Sequence, residues 1–184
     1  MNGASLKPDH GFPLRSLVPS VIGARSVKWL GRIVVSDRPS ANHYVRWAYK
    51  LVKTGEENEW DQAQPIQEFP LNAAICVPEE NAAIEPGTLI VRGYALAAGD
   101  FDVFVDRAEL SVDQDENWTL AEWTSESRPF CWRLWRGQVA VDSRTRSVMV
   151  RAVDSRGLEQ PRTVEWNLKG YLFNAWDRVP LRAI

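Results

Sequence analysis

Cysteine and histidine are both scarce in this chain, with Cys76, Cys131, His10 and His43 the whole supply. Two thiols are too few for a disulfide scaffold and the wrong number for a zinc cluster, so the simplest expectation is two reduced, buried thiols. With only two imidazoles, a histidine-rich metal site is excluded. No apolar run approaches transmembrane length and the first residues hold no signal-peptide core. The chain is therefore expected to be intracellular and not secreted, with cytosol and mitochondrion both open, and its Leu-Arg-Ala-Ile end is not the peroxisomal S-K-L signal. Against that background the sequon Asn117-Trp118-Thr119 reads as a chance match. A formal net charge of -2 gives no reason to expect nucleic acid or an anionic membrane as partner. The G-x-S-x-G elbow, the Walker phosphate loop and the G-x-G-x-x-G fingerprint are all missing, and no pair of carboxylates is singled out by spacing.

What is present has the profile of an ordinary soluble globular protein, with 45% hydrophobic and 25% charged residues in 184. That length suits one good-sized domain, or one domain with part of a neighbour. Nine tryptophans are many for it and point to a heavily packed core or a large interface. Two regions differ in texture. Up to about residue 60 the chain is basic and loop-rich, with Pro8, Pro13, Pro19 and Pro39 interrupting any long helix. Ala24 to Trp29 and Gly31 to Ser36 read there as short extended segments, the second holding the β-branched run Ile33-Val34-Val35. Glu56 to Glu59 reads as a small acidic, solvated stretch, followed by a Gln/Pro linker at Gln62 to Pro65.

From Ile66 onward apolar positions alternate with polar ones. Val103 and Val105, then Ala108, Leu110 and Val112, follow this rule with a change of parity between Val105 and Ala108. Val139 and Val141 obey it too, as do Val148, Val150 and Ala152. Turn clusters fall at Asp113 to Asn117 and Asp154 to Gly157. Strands at eight- to twelve-residue spacing without helical periodicity predict a mainly β fold, an immunoglobulin-like β-sandwich after a partial, loop-rich α+β segment.

The stretch Asp9 to Leu30, DHGFPLRSLVPSVIGARSVKWL, sets His10, Arg15, Arg25 and Lys28 among apolar and turn-forming residues. Cations in such a setting need an anion unless they reach water, and a phosphate would serve, with Gly11 and Gly23 permitting close backbone approach. Composition alone favours the plainer alternative, cations that simply face solvent.

The order of residues adds more. DHGFPLR followed by VPSVIGARSVKWLGRI resembles the end of the molybdopterin-binding domain of the sulfite oxidase family, which includes eukaryotic nitrate reductases. The resemblance continues through PIQEFPLNAAICVP, GTLIVRGYALAAG, LSVDQDENWTLAEW, FCWRLWRGQVAV, VRAVDSRG and WNLKGYLFNAWDRV, in the family's order. It implies a remnant of the cofactor domain over residues 1–64 and an immunoglobulin-like dimerisation domain over 65–184. It also implies a molybdenum–molybdopterin cofactor in the complete enzyme, with His10, Arg15, Ser26, Val27 and Lys28 on that cofactor. Tyr49, in WAYK, matches an active-site tyrosine, and Lys169, in NLKG, matches a position where sulfite oxidases usually carry arginine and nitrate reductases an uncharged residue. Lysine keeps the charge that attracts an oxyanion but loses the bidentate fork, which implies a sulfite-type pocket of altered affinity.

Sulfite oxidation to sulfate is the implied activity, with a homodimer formed through the sandwich. The family's molybdenum-ligating thiolate belongs to a preceding segment, and neither Cys76 nor Cys131 falls at its place. The chain is accordingly expected to begin part-way through a domain, to retain no cofactor alone and to be inactive by itself. The alternatives are a non-catalytic dimerisation or interaction module and a fragment of a nitrate reductase. In Phe130 to Trp135, strand alternation puts Trp132 and Leu134 on one face and Cys131, Arg133 and Trp135 on the other. Apolar bulk on both faces fits either a two-fold interface or a core strand with one partly exposed tryptophan.

Overall fold

A computed structural model of the chain describes residues 3–113 and 117–184. It divides into two compact units, one of residues 1–69 with Trp166–Leu172, the other of Pro70–Glu165 with Phe173–Ile184. Among the described residues the larger unit is a β-sandwich of nine strands: β1 (Asn72–Val77), β2 (Ala82–Ile84), β3 (Gly87–Leu96), β4 (Val105–Val112), β5 (Thr119–Leu120), β6 (Glu122–Trp123), β7 (Arg133–Val141), β8 (Ser147–Asp154) and β9 (Asp177–Ala183). One sheet runs β1-β3-β7-β6 and the other β2-β9-β8-β4-β5. All pairings are antiparallel except β2 with β9.

Alternation builds the core. On β3, Val91, Gly93 and Ala95 turn inward, and on the neighbouring β7 Trp135, Gly137, Val139 and Val141 do so. They meet Val148, Val150 and Ala152 of β8 and Ala108 and Leu110 of β4 in one cluster. The parity change between Val105 and Ala108 is a register shift between Val105 and Arg107, which returns both apolar residues to the interior.

Strand β8 departs from simple alternation, since Met149 and Val153 are buried along with Val148 and Val150. Its outer side is covered at Arg151 by side chains from other parts of the chain. Arg151 lies 4.0 Å from the Trp118 ring and 5.4 Å from that of Trp176, and pairs with Glu109 at 2.7 Å and Glu159 at 2.5 Å. Beside it, buried Gln160 accepts from the Ala152 amide at 3.1 Å and donates to the Ala175 carbonyl at 2.8 Å, which satisfies its carboxamide. The predicted turn at Asp154 to Gly157 forms around the buried Asp154 carboxylate, which receives the Arg156 guanidinium at 2.6 Å. Of the turn predicted at Asp113 to Asn117, residues 114–116 lie outside the described residues.

Two sequence expectations need correcting. Cys76 and Cys131 are exposed, not buried. Cys76 lies in the irregularity of β1 between Ile75 and Val77, and Cys131 in the turn before β7, where its amide donates to the Arg128 carbonyl. The segments 24–29 and 31–36 form no strand, because no neighbouring strand supplies a ladder. Gly23–Arg25 is instead a 3-10 turn, and Ile33, Val34 and Val35 stand exposed. The acidic stretch is solvent-exposed at Glu56 to Asn58, as expected, and opens a short helix, Glu57–Gln62, preceded in the smaller unit by the helix His43–Arg46.

Glu59 ties that helix to the loop before it. Its carboxylate accepts from the amides of Lys53, Thr54 at 2.9 Å and Gly55 at 3.0 Å, and from the Thr54 hydroxyl at 2.8 Å. The Lys53 amide above all, then the Thr54 hydroxyl, hold its pKa down at about 2. A depressed carboxylate stabilises the fold above its ordinary unfolded value of roughly 4.3 and loses that contribution as pH falls toward the folded value. Glu59→Gln is therefore expected to speed amide exchange at Lys53 to Gly55 at neutral pH and to flatten its acid dependence. Equal exchange in variant and parent at pH 7 would refute this.

Candidate functional site

Residues 8–30 of the smaller unit fold back on themselves. The 3-10 turn Pro8–His10 ends on Gly11, whose left-handed φ of 104° reverses the chain. A Cβ on Gly11 would stand 3.0 Å from the Cβ of Lys28 and 3.1 Å from that of Arg15, so only glycine lets these two cations stack beside the turn. The two arms of this fold-back are held by Ser16 N–H to the Val27 carbonyl and Leu30 N–H to the Leu14 carbonyl, each at 2.9 Å. Ser16 Oγ also accepts from the Val27 amide at 2.7 Å, and Ser26 Oγ from the Val18 amide at 3.1 Å.

The cations here are held by carbonyls. Arg15 donates to the carbonyls of His10 at 3.0 Å and Ser26 at 3.2 Å, and Lys28 Nζ to that of Asp9 at 2.6 Å. Arg25 donates through Nε to the Ile66 carbonyl at 3.0 Å and through Nη1 to the Tyr44 carbonyl at 2.8 Å. A carbonyl fixes a guanidinium in place but leaves its charge uncompensated. Two buried donors, Arg15 Nε and Arg25 Nη2, have no hydrogen-bond partner among the described residues.

These groups border a cleft of about 960 Å³. Arg15, Arg25, Lys28 and Arg32 contribute four cations to its lining, and no carboxylate is among the described residues there. Gly23 lines it as well, and a Cβ added at Gly23 would meet nothing within 4 Å. A positively charged recess with spare N–H groups and a side-chain-free wall suits an anionic ligand, above all a phosphate. Among the described residues no cluster of His, Cys, Asp and Glu could hold a metal ion through side chains.

Of the residues singled out in the sequence, Arg15, Ser26, Val27, Lys28 and Tyr49 all line the cleft. His10 does not; its side chain is exposed while its carbonyl anchors Arg15. Lys169 is exposed on the turn Trp166–Leu172, which clusters with this unit, and is likewise not among the lining residues. Tyr49 has a φ of 53°, rare for a bulky side chain, and its carbonyl accepts from the Ile66 amide at 2.7 Å. Its ring stacks on Tyr171 at 5.3 Å, and the Arg25 guanidinium lies 5.9 Å from its centroid. Tyr44 was not singled out in the sequence, and Arg25 only as one cation of the run Asp9 to Leu30. The missing signal is three-dimensional, since the carbonyls that aim Arg25 belong to residues 44 and 66.

Comparison with known proteins bears on both units. The family described as the Mo-co oxidoreductase dimerisation domain matches residues 63–184, and the one described as the oxidoreductase molybdopterin binding domain matches residues 1–44. Mitochondrial sulfite oxidase of Mus musculus is 38% identical over 195 residues, covering 100% of this chain and 35% of that protein. Sulfite oxidase of Arabidopsis thaliana is 38% identical over 198 residues, covering 99% of this chain and 50% of that protein. The nitrate reductase [NADPH] of Pichia angusta is 32% identical over 215 residues, with 98% of this chain covered. Among solved structures, the sulfane dehydrogenase SoxCD of Paracoccus pantotrophus shares the fold with a TM-score of 0.80 at 23% identity, over 95% of this chain and 45% of that one. The chain thus spans between 35% and 50% of the length of these two sulfite oxidases.

Proposed function

We infer the function from one premise: this chain belongs to the sulfite oxidase family of molybdenum-cofactor oxidoreductases and contains its dimerisation domain. It acts as the C-terminal part of an enzyme that oxidises sulfite to sulfate. Residues 1–64 close one side of the molybdopterin site and residues 65–184 bring two such subunits together. The observation that carries this reading is the cleft, with four cations, no described carboxylate and Tyr49 on its wall.

The residues fit a molybdopterin phosphate. Arg15 and Lys28 supply charge, Ser26 and Val27 form the wall between them, and His10 fixes Arg15 through its carbonyl. The spare donors on Arg15 and Arg25 and the open space at Gly23 give the phosphate partners and room. When bound, the cofactor supplies two-electron oxygen-transfer chemistry, while the protein binds and orients. Tyr49 donates its hydroxyl to a substrate oxyanion, and Lys169 raises the local concentration of anions. Soft thiolate ligation of molybdenum falls to a part of the enzyme outside this chain, since Cys76 and Cys131 both lie in the sandwich unit.

The partner is a second copy of the chain. The outer side of β8 is roofed already, whereas the outer side of the β3–β7 pair shows Leu134 at 49% and Trp132 at 56% exposure, with exposed Ile90 four residues further along β3 from Tyr94, the partner of Leu134. Uncovered apolar residues on one sheet face are what a two-fold, self-matching contact requires.

The purified chain and a fusion protein test the reading. The purified chain is expected to sediment as a dimer, without stoichiometric molybdenum and without sulfite-dependent acceptor reduction. Leu134→Arg is expected to weaken the dimer on the order of 100-fold by placing an unpaired charge at its centre. Metal retention with turnover by the chain alone would contradict the thiolate argument. Fused behind the N-terminal half of the Arabidopsis thaliana relative, the chain is expected to hold molybdenum and turn over sulfite. A folded, loaded fusion inert toward sulfite would rule the function out.

A further inference from the structure

Tyr49 occupies a backbone conformation that a bulky residue adopts only when its surroundings impose it. The Ile66 amide holds its carbonyl, but that contact fixes the peptide and not the ring. Of the aromatic contacts to the ring, Tyr44 is tilted by 37° at 6.3 Å. Tyr171 is nearer and nearly parallel, 5.3 Å away at 23°. Stacking of this kind restricts a ring to one plane.

Tyr171 is itself unusually well fixed. The Asn167 carboxamide grips both its backbone polar groups, accepting from the Tyr171 amide at 2.9 Å and donating to the Tyr171 carbonyl at 2.8 Å. Gly170 before it is left-handed at φ 65°, with a Cβ position 3.1 Å from the Trp166 ring, and Leu172 after it is left-handed at φ 56°. The turn is seated by the Leu168 amide on the Val52 carbonyl at 2.8 Å. Lys169 rides on this same turn.

We propose that Tyr171 is a positioning residue, which sets the plane of the Tyr49 ring and ties it to the turn that presents Lys169. The proposal rests on the reading of Tyr49 as a substrate-facing residue. One rigid turn then governs both groups on the oxyanion side of the site, and its rigidity comes from Asn167 rather than from substrate.

The test uses the 184-residue chain with ring-labelled tyrosine, the Tyr49 signal being identified by its loss in Tyr49→Phe. Tyr171→Phe keeps the stack and is expected to leave the Tyr49 ring shifts as in the parent. Tyr171→Ala is expected to displace and broaden them, and to weaken the effect of added sulfate on Tyr49 roughly 2- to 10-fold, the range that loss of one aromatic pair implies. Tyr171→Leu, which keeps bulk without a ring, decides the matter in the same way if the alanine variant unfolds. An unchanged Tyr49 signal in the alanine or leucine variant overturns the proposal. Failure of sulfate to move the Tyr49 signal in the parent overturns the substrate-facing reading instead, while the ring-shift comparison still decides the stack.

Discussion

Replacing Gly93 with alanine is expected to destabilise the sandwich by about 3 kcal/mol or more, the upper end of what overpacking costs. The new methyl would stand 2.0 Å from the Ala74 carbonyl oxygen and 2.4 Å from the Trp135 ring. The ring could shift, but the carbonyl belongs to the backbone of β1, so the strand itself would have to move. Trp135 is the largest fully buried side chain, and Trp135→Ala is expected to cost roughly 3–5 kcal/mol through lost contacts and a cavity. The double variant separates the two obstacles. Removing the indole relieves one clash and leaves the other, so Gly93→Ala is expected to cost less on the Trp135→Ala background but not to become neutral. Urea denaturation of the four proteins measures this. A Gly93→Ala chain within ~0.5 kcal/mol of the parent, the ordinary scatter of harmless substitutions, would refute the packing account.

Arg15→Ala is expected to reduce binding of inorganic pyrophosphate to the chain by roughly 10- to 100-fold, since a hydrogen bond to a charged group contributes about 1.5–3 kcal/mol. Titration calorimetry at two ionic strengths checks this, because attraction to an exposed cation cluster weakens as salt shortens the screening length. Arg15→Lys is expected to fall between parent and alanine variant, keeping charge but losing the fork that spans the carbonyls of His10 and Ser26. If all three proteins bind pyrophosphate equally and independently of salt, the cleft is not an anion site.

The sandwich was legible because its strands obey a short-range rule. Ala108 and Leu110, Val139 and Val141, and Val148, Val150 and Ala152 recur at every second position and all end in the core. Even the parity change before Ala108 had a structural counterpart in the β4 register shift. The rule failed where a second layer intervenes. Met149 and Val153 are buried by residues far along the chain, and no local pattern announces a roof. It failed again at Ile33 to Val35, where β-branched residues had propensity but no partner strand. The thiols were misjudged because cysteine's general preference for the interior gives way to a local bulge and a turn.

The site was less legible, since contacts far apart in sequence define it. Arg15, Ser26, Val27, Lys28 and Tyr49 share a cleft, but Arg25 takes its aim from carbonyls at residues 44 and 66. Tyr171 was invisible as a neighbour of Tyr49 because 122 positions separate them (171 − 49).

The turn Trp166–Leu172 also bears on how such proteins diversify. It is encoded within the dimerisation domain but folds with the other unit. Recombination at the boundary near residue 64 would therefore not exchange a neutral dimerisation module. It would import Asn167, Lys169 and Tyr171 as a set, and with them the ring that stacks on Tyr49. A change within a domain named only for assembly can thus reach the Tyr49 ring in the smaller unit.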